Sequence, residues 1–267
     1  MLSWSINLFK IRGIQLVLHG SFLLILAYWA IQGYQYGGTP GLAWSVGQGL
    51  TLFVCVLLHE LGHSITGQHF GLKVSRIMLW PLGGIAQFES IPRKPSQEIL
   101  MTLAGPAVNF VIAGLLWLVL PFPSGWDAFP YPSSLADLGR WLVEANLWMG
   151  CFNLLPVFPS DGGRLLRATL ATRLSYLRAT FVAATVAKIV AVGGFAIVCL
   201  IFYFNPGGGY WNLVYFAALM IFIIRAGERE YQYVKQRGAQ EAYLRQLIAQ
   251  AAVHQAPPPG EPPVLHP

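Results

Sequence analysis

Six apolar runs, most of them long enough to cross a bilayer, constrain this chain more than any other feature. They lie at Ile14–Ile31, Leu42–Phe70, Ile99–Leu120, Leu138–Val157, Phe181–Phe204 and Leu213–Ile224, the last being short. A helix needs about 20 apolar residues to traverse the hydrocarbon core. Backbone amides in lipid must be satisfied within the chain, which favours helices, and the runs lack the alternation of a membrane barrel. Composition agrees: 55% of the 267 residues are hydrophobic and 10% charged, against about a quarter charged in a water-soluble domain. The expected fold is an all-α polytopic membrane protein with about six transmembrane helices, the lipid bilayer being its first partner.

Charge placement gives an orientation. Of the 17 Lys and Arg residues, all but Arg140 and Lys188 fall before the first run, after the second, after the fourth and after the sixth. The connections between these are free of both residues. Basic residues concentrate on the cytoplasmic side, so both termini are expected in the cytoplasm. The formal charge of +6 is thereby explained without nucleic acid, since no basic arm exists. Cys55, Cys151 and Cys199 are odd in number and widely spaced, unlike a disulfide framework.

Two stretches depart from the helical pattern. Between the second and third runs, Leu72–Ser90 spaces apolar residues with polar ones and then carries Pro and Gly-Gly. It is expected to form a small re-entrant β-hairpin, with strands at Ile77–Leu79 and Ile85–Phe88. Residues 1–225 are expected to form the transmembrane core, 226–256 a cytoplasmic helical segment broken near Gly238, and 257–267 a disordered Pro-rich tail. No cleavable secretory leader is evident, and Ile14–Ile31 reads as an uncleaved first span.

The chemistry concentrates in His59-Glu60-Leu61-Gly62-His63, at the end of the second run. On a helix, His59 and His63 share a face and can grip one metal ion, while Glu60 is offset by about 100°. There it can reach a water on the metal without being a ligand. Burying these groups in an apolar helix is costly unless they are paired, metal-bound or wetted. A catalytic zinc needs a third protein ligand. His69 lies at the distance of the longer HExxHxxGxxH pattern, but the glycine of that pattern falls on Thr66. Cys55 is one turn before His59. Asp161 follows a helix broken by Pro156 and Pro159 and precedes Gly162 and Gly163. Broken backbone at membrane depth occurs beside protein or a water-filled cavity; an ordinary turn capping the next helix is the other reading of Asp161.

HELGH in the second run, Ala104-Gly105-Pro106-Ala107-Val108-Asn109 in the third and FNLLPVFPSDGGR in the fourth resemble the site-2 protease family of intramembrane zinc metalloproteases. HGSFLLIL from His19 and PLGGIA from Pro81 are similar to its bacterial and archaeal members. The resemblance implies one Zn2+ per chain held by His59, His63 and Asp161, Glu60 as general base, and Asn153 near the substrate backbone. The family's third motif usually reads LDG; Ser160 precedes the aspartate here. Relatives with paired C-terminal nucleotide-sensing domains are longer, and none is expected in this chain. The implied activity is cleavage of transmembrane protein substrates in regulated intramembrane proteolysis, in a bacterial or archaeal cell membrane. The alternative is a catalytically inactive homologue that binds membrane helices; a transporter with a chance pentad and a prenyl-protein protease fit the ordered motifs less well.

Overall fold

The computed structural model describes residues 4–81, 83–89, 92, 94–120, 134–204 and 210–255. The expected Pro-rich tail at 257–267 lies outside them. In chain order the elements are β1 (Ser5–Ile11), β2 (Ile14–His19), α1 (Ser21–His69), β3 (Val74–Trp80), β4 (Gly83–Phe88), α2 (Pro95–Val119), α3 (Leu135–Asn153), α4 (Asp161–Leu170), α5 (Tyr176–Phe204) and α6 (Tyr210–Gln255).

The molecule is mainly helical but not all-α. Its strands form one sheet in the order β1-β2-β3-β4. The expected strands at Ile77–Leu79 and Ile85–Phe88 are present as the antiparallel pair β3–β4. They do not stand alone: β2 pairs with β3 in parallel, Leu16 opposite Ile77, and β1 pairs with β2 antiparallel. This corrects the first span, which starts at Ser21 rather than Ile14. A short apolar run does not by itself distinguish a buried strand from a helix, and Ile14 and Leu16 are fully buried between two neighbouring strands. The β1–β2 turn is tight, with Arg12 and Gly13 both at positive φ (50° and 82°), the backbone twist that favours two-residue hairpins.

α1 absorbs the first and second apolar runs. Gly37 and Gly38 have non-helical dihedrals, and Pro40 follows. The chain then doubles back. Phe22 meets Phe53 edge to face, with ring centroids 4.0 Å apart. A Cβ on Gly49 would strike Trp29, and one on Gly33 would strike Ser45 and the Gly41 carbonyl. These pairs, 22 with 53, 29 with 49 and 33 with 45, run in opposite directions, so α1 is a helical hairpin whose arms approach closely at glycines. The second arm carries the HELGH pentad and packs on the sheet, where Leu61 joins Ile14, Leu16, Val74, Ile77 and Leu79 in one core.

Among the described residues, four helices are long and apolar enough to cross a membrane: α1, α2, α5 and, over Tyr210–Ala251, α6. α3, the expected fourth span, carries Asp137, Arg140 and Glu144 in 19 residues and is not among them. α6 continues through Gly238, where a break was expected. A lone helical glycine costs about 1 kcal/mol relative to alanine, too little to end a helix flanked by good helix formers.

Candidate metal centre

Each residue of the pentad faces a different neighbour. Leu61 enters the sheet core. Gly62 lies against Ala104 of α2, where a Cβ would stand 2.7 Å from the Ala104 carbonyl oxygen. Glu60 packs over Gly84 of β4, whose missing side chain leaves room for the carboxylate arm. His59 and His63 turn inward and are 4% and 7% exposed. A Cβ on Gly105 would collide with the His63 ring. The glycines of HELGH, AGPAVN and PLGG are therefore contact points that let α1, α2 and β4 close around the two imidazoles and the carboxylate.

Asp161 arrives from the far side. After α3 ends at Asn153, the chain passes Pro156 and Pro159 and enters α4 at Asp161. Gly162 and Gly163 sit so close to the carbonyls of Leu154, Leu155 and Val157 that neither position has space for a side chain. This tight passage delivers the carboxylate to the imidazoles. The Asp161 Oδ2 lies 3.2 Å from His59 Nε2 and 3.1 Å from His63 Nε2, and the two Nε2 atoms are 3.1 Å apart.

The outer nitrogens are occupied. His59 Nδ1 is 2.6 Å from the Asn109 Oδ1, and His63 Nδ1 is 2.8 Å from the Met101 carbonyl oxygen. Both acceptors call for a proton on Nδ1, leaving each Nε2 with an outward lone pair. Three electron-rich atoms thus converge with no donor among them, which is unfavourable unless a cation lies between. A tetrahedral zinc with bonds of about 2.0–2.1 Å holds its ligands about 3.3–3.4 Å apart, close to the observed triangle. The residues fit such an ion. His, His and carboxylate is also a donor set that leaves zinc an open fourth position.

Of the three third-ligand candidates, only Asp161 joins the two histidines among the described residues. His69 is exposed at the end of α1 and stacks near Phe70, with centroids 5.5 Å apart. Cys55 is buried and accepts a hydrogen bond from the Asn146 side chain. Asn153 is partly exposed, and its Nδ2 donates to the Met149 carbonyl one turn back in α3. Asn109, in the second motif, has a place beside His59 that its sequence position alone did not assign. Asn146 behind it gave no signal beyond being polar within an apolar run.

A second polar cluster sits further along α4. Arg167, 3% exposed, pairs with Glu98 of α2 (Nη2 to Oε1 2.5 Å) and with Glu230 of α6. Tyr176 at the start of α5 donates to the same Glu98 oxygen at 3.3 Å. Burial opposes the guanidinium charge, but the adjacent carboxylates prevail, and the Arg167 pKa is raised. Three helices, α2, α5 and α6, thereby converge on the element that carries Asp161.

Comparison with known proteins bears on this arrangement. Residues 49–137 match peptidase family M50. Over 192 residues, the chain is 39% identical to the zinc metalloprotease MJ0392 of Methanocaldococcus jannaschii, covering 72% of this chain and 53% of that protein. It is 31% identical over 197 residues to the Rip3 protein of Mycobacterium tuberculosis, covering 70% and 49%. The chain thus spans about half the length of these relatives. The solved site-2 protease from M. jannaschii superposes with a TM-score of 0.56 at 34% identity, covering 85% of this chain and 95% of that one. With its apolar helices and its buried donor triangle, the chain is an integral membrane protein belonging to peptidase family M50, the site-2 proteases.

Proposed function

We propose that the chain is an intramembrane zinc endopeptidase that hydrolyses peptide bonds within or near transmembrane segments of other membrane proteins, acting in regulated intramembrane proteolysis. The observation that carries this reading is the meeting of His59, His63 and Asp161, from helices α1 and α4, with Glu60 adjacent in the pentad. Zinc held by these three residues supplies a Lewis acid and lowers the pKa of a water toward about 7.

Glu60 is the general base. Its carboxylate takes a proton as the water oxygen bonds to the substrate carbonyl carbon, then delivers a proton to the amine nitrogen as the C–N bond breaks. A helical substrate hides its amides in internal hydrogen bonds, so it must first be extended. β4 ends the sheet order, and a substrate strand added along its outer edge would lie beside Gly84 and hence beside Glu60. Asn153, at the end of α3, would exchange its bond to Met149 for one to the substrate backbone.

The reading includes six crossings with both termini in the cytoplasm. The two arms of α1, together with α2, α3, α5 and α6, supply six helical segments in the order of the apolar runs. Glu60→Gln in the purified chain tests the mechanism. Zinc content is expected to stay near that of the unmodified chain, while cleavage of a transmembrane substrate falls about 10²–10⁴-fold. Unchanged cleavage removes Glu60 from the reaction. A zinc-loaded unmodified chain that cuts no substrate helix yet binds one would favour the inactive helix-binding reading.

A further inference from the structure

We propose that Asn146, on a helix that contributes no metal donor, is a positioning residue: acting through Asn109, it dictates which nitrogen of His59 is left to bind the metal. The inference rests on the zinc reading above.

The polarity of the hydrogen-bond chain is determined from one end. The Leu142 carbonyl can only accept, so the group of Asn146 facing it at 2.8 Å is the amide Nδ2. The same nitrogen reaches Cys55 Sγ at 3.3 Å, which engages its second hydrogen. The Asn146 oxygen therefore faces Asn109 and accepts from Asn109 Nδ2 at 2.8 Å. That leaves the Asn109 oxygen toward His59 Nδ1, 2.6 Å away. An amide oxygen there requires a proton on Nδ1 and a lone pair on Nε2, the nitrogen aimed at His63 and Asp161. Turning Asn146 over would set its oxygen against the Leu142 carbonyl and its amide nitrogen against that of Asn109; turning Asn109 over would set two amide oxygens against each other.

Burial makes the chain rigid. Asn109 and Asn146 are both fully buried, so water offers no alternative partner. His63 provides the contrast. Its Nδ1 meets the Met101 carbonyl directly, and a backbone acceptor cannot turn over. One imidazole is oriented by the main chain of α2. The other depends on two side-chain amides that relay the direction of a carbonyl in α3.

The test uses the full chain in detergent, with zinc affinity measured by chelator competition and thermal unfolding measured without metal. Asn146→Leu is expected to weaken zinc binding about tenfold, at the lower end for residues that orient metal ligands. Asn109→Leu is expected to weaken it at least as much, and the double variant no further, because Asn146 works through Asn109. Asn146→Asp, which when protonated donates to the Leu142 carbonyl and still accepts from Asn109 Nδ2, is expected to recover most of the affinity. Native affinity in Asn146→Leu, or losses that multiply in the double variant, overturns the proposal. If Asn146→Leu fails to unfold cooperatively, 15N NMR of the unmodified zinc-loaded chain decides. A proton on His59 Nδ1 supports the proposal, and metal on that nitrogen overturns it. Zinc lost in His63→Ala but unaffected in Asn146→Leu sinks this inference alone. An unmodified chain without tight zinc sinks it together with the proposed function.

Discussion

Helix α4 carries two buried polar centres six residues apart, and they are opposites. Around Arg167, one guanidinium meets Glu98 and Glu230, and the Tyr176 hydroxyl donates to Glu98, so charge and hydrogen bonds are matched within the chain. Around Asp161, one carboxylate and two imidazole nitrogens face one another without a donor. The first centre is complete as it stands and serves to lock helices together. The second is incomplete, and its shape specifies what would complete it. Buried polar groups are therefore not equivalent indicators of function. What distinguishes a binding centre from a structural lock is an unmatched set of acceptors, held apart by packing that the rest of the fold imposes.

Several substitutions would break or sharpen that contrast. The largest effect on the fold itself is expected from Arg167→Ala. Removing one partner of a buried ion pair costs about 3–5 kcal/mol, read as a lower thermal midpoint with or without zinc. Asp161→Ala should act oppositely. It removes most bound zinc while the metal-free chain unfolds at a temperature close to that of its unmodified counterpart, as measured by metal analysis and unfolding in chelator. Full zinc occupancy in Asp161→Ala would dismantle the comparison. Gly84→Val is expected to be milder. Its Cβ would push the Glu60 arm aside, lowering cleavage about tenfold, as expected for a misplaced base, with zinc content retained. The smallest effect is expected from His69→Ala, which should alter neither zinc content nor stability, because that ring lies exposed at the end of α1.

The legible and illegible parts of the centre divide by how far a contact reaches along the chain. His59 and His63 could be read directly, because four residues on a helix define a shared face whatever surrounds it. Glu60 came with them. Asp161 is 98 residues from His63, and no periodicity connects them; the broken, Gly-flanked backbone marked it as unusual, and the family resemblance supplied its role. Asn109 and Asn146 bridge three helices, and nothing local separates them from polar residues that merely cap or pack. The same rule covers the fold. β3 and β4 adjoin in sequence and were visible as alternating segments with a turn. β2 is indistinguishable locally from the start of a helix, because its pairing with β3 depends on a partner 61 positions away, as in Leu16 with Ile77. The lone glycine at 238 has the local look of a break, but the long flanking helix outweighs its cost.

The parallel pairing of β2 with β3 has a topological consequence. β2 feeds α1 through Gly20, and the end of α1 leads back into β3 alongside β2 in the same sheet. A chain that departs from a sheet on one side of a membrane and rejoins it must traverse the barrier an even number of times. Two crossings, one by each arm of the helical hairpin, would meet that parity. Lys10 and Arg12 before the hairpin would then share a side of the bilayer with Lys73 and Arg76 after it. Hydrogen bonding in the sheet thus ties these two basic stretches together without counting a single charge.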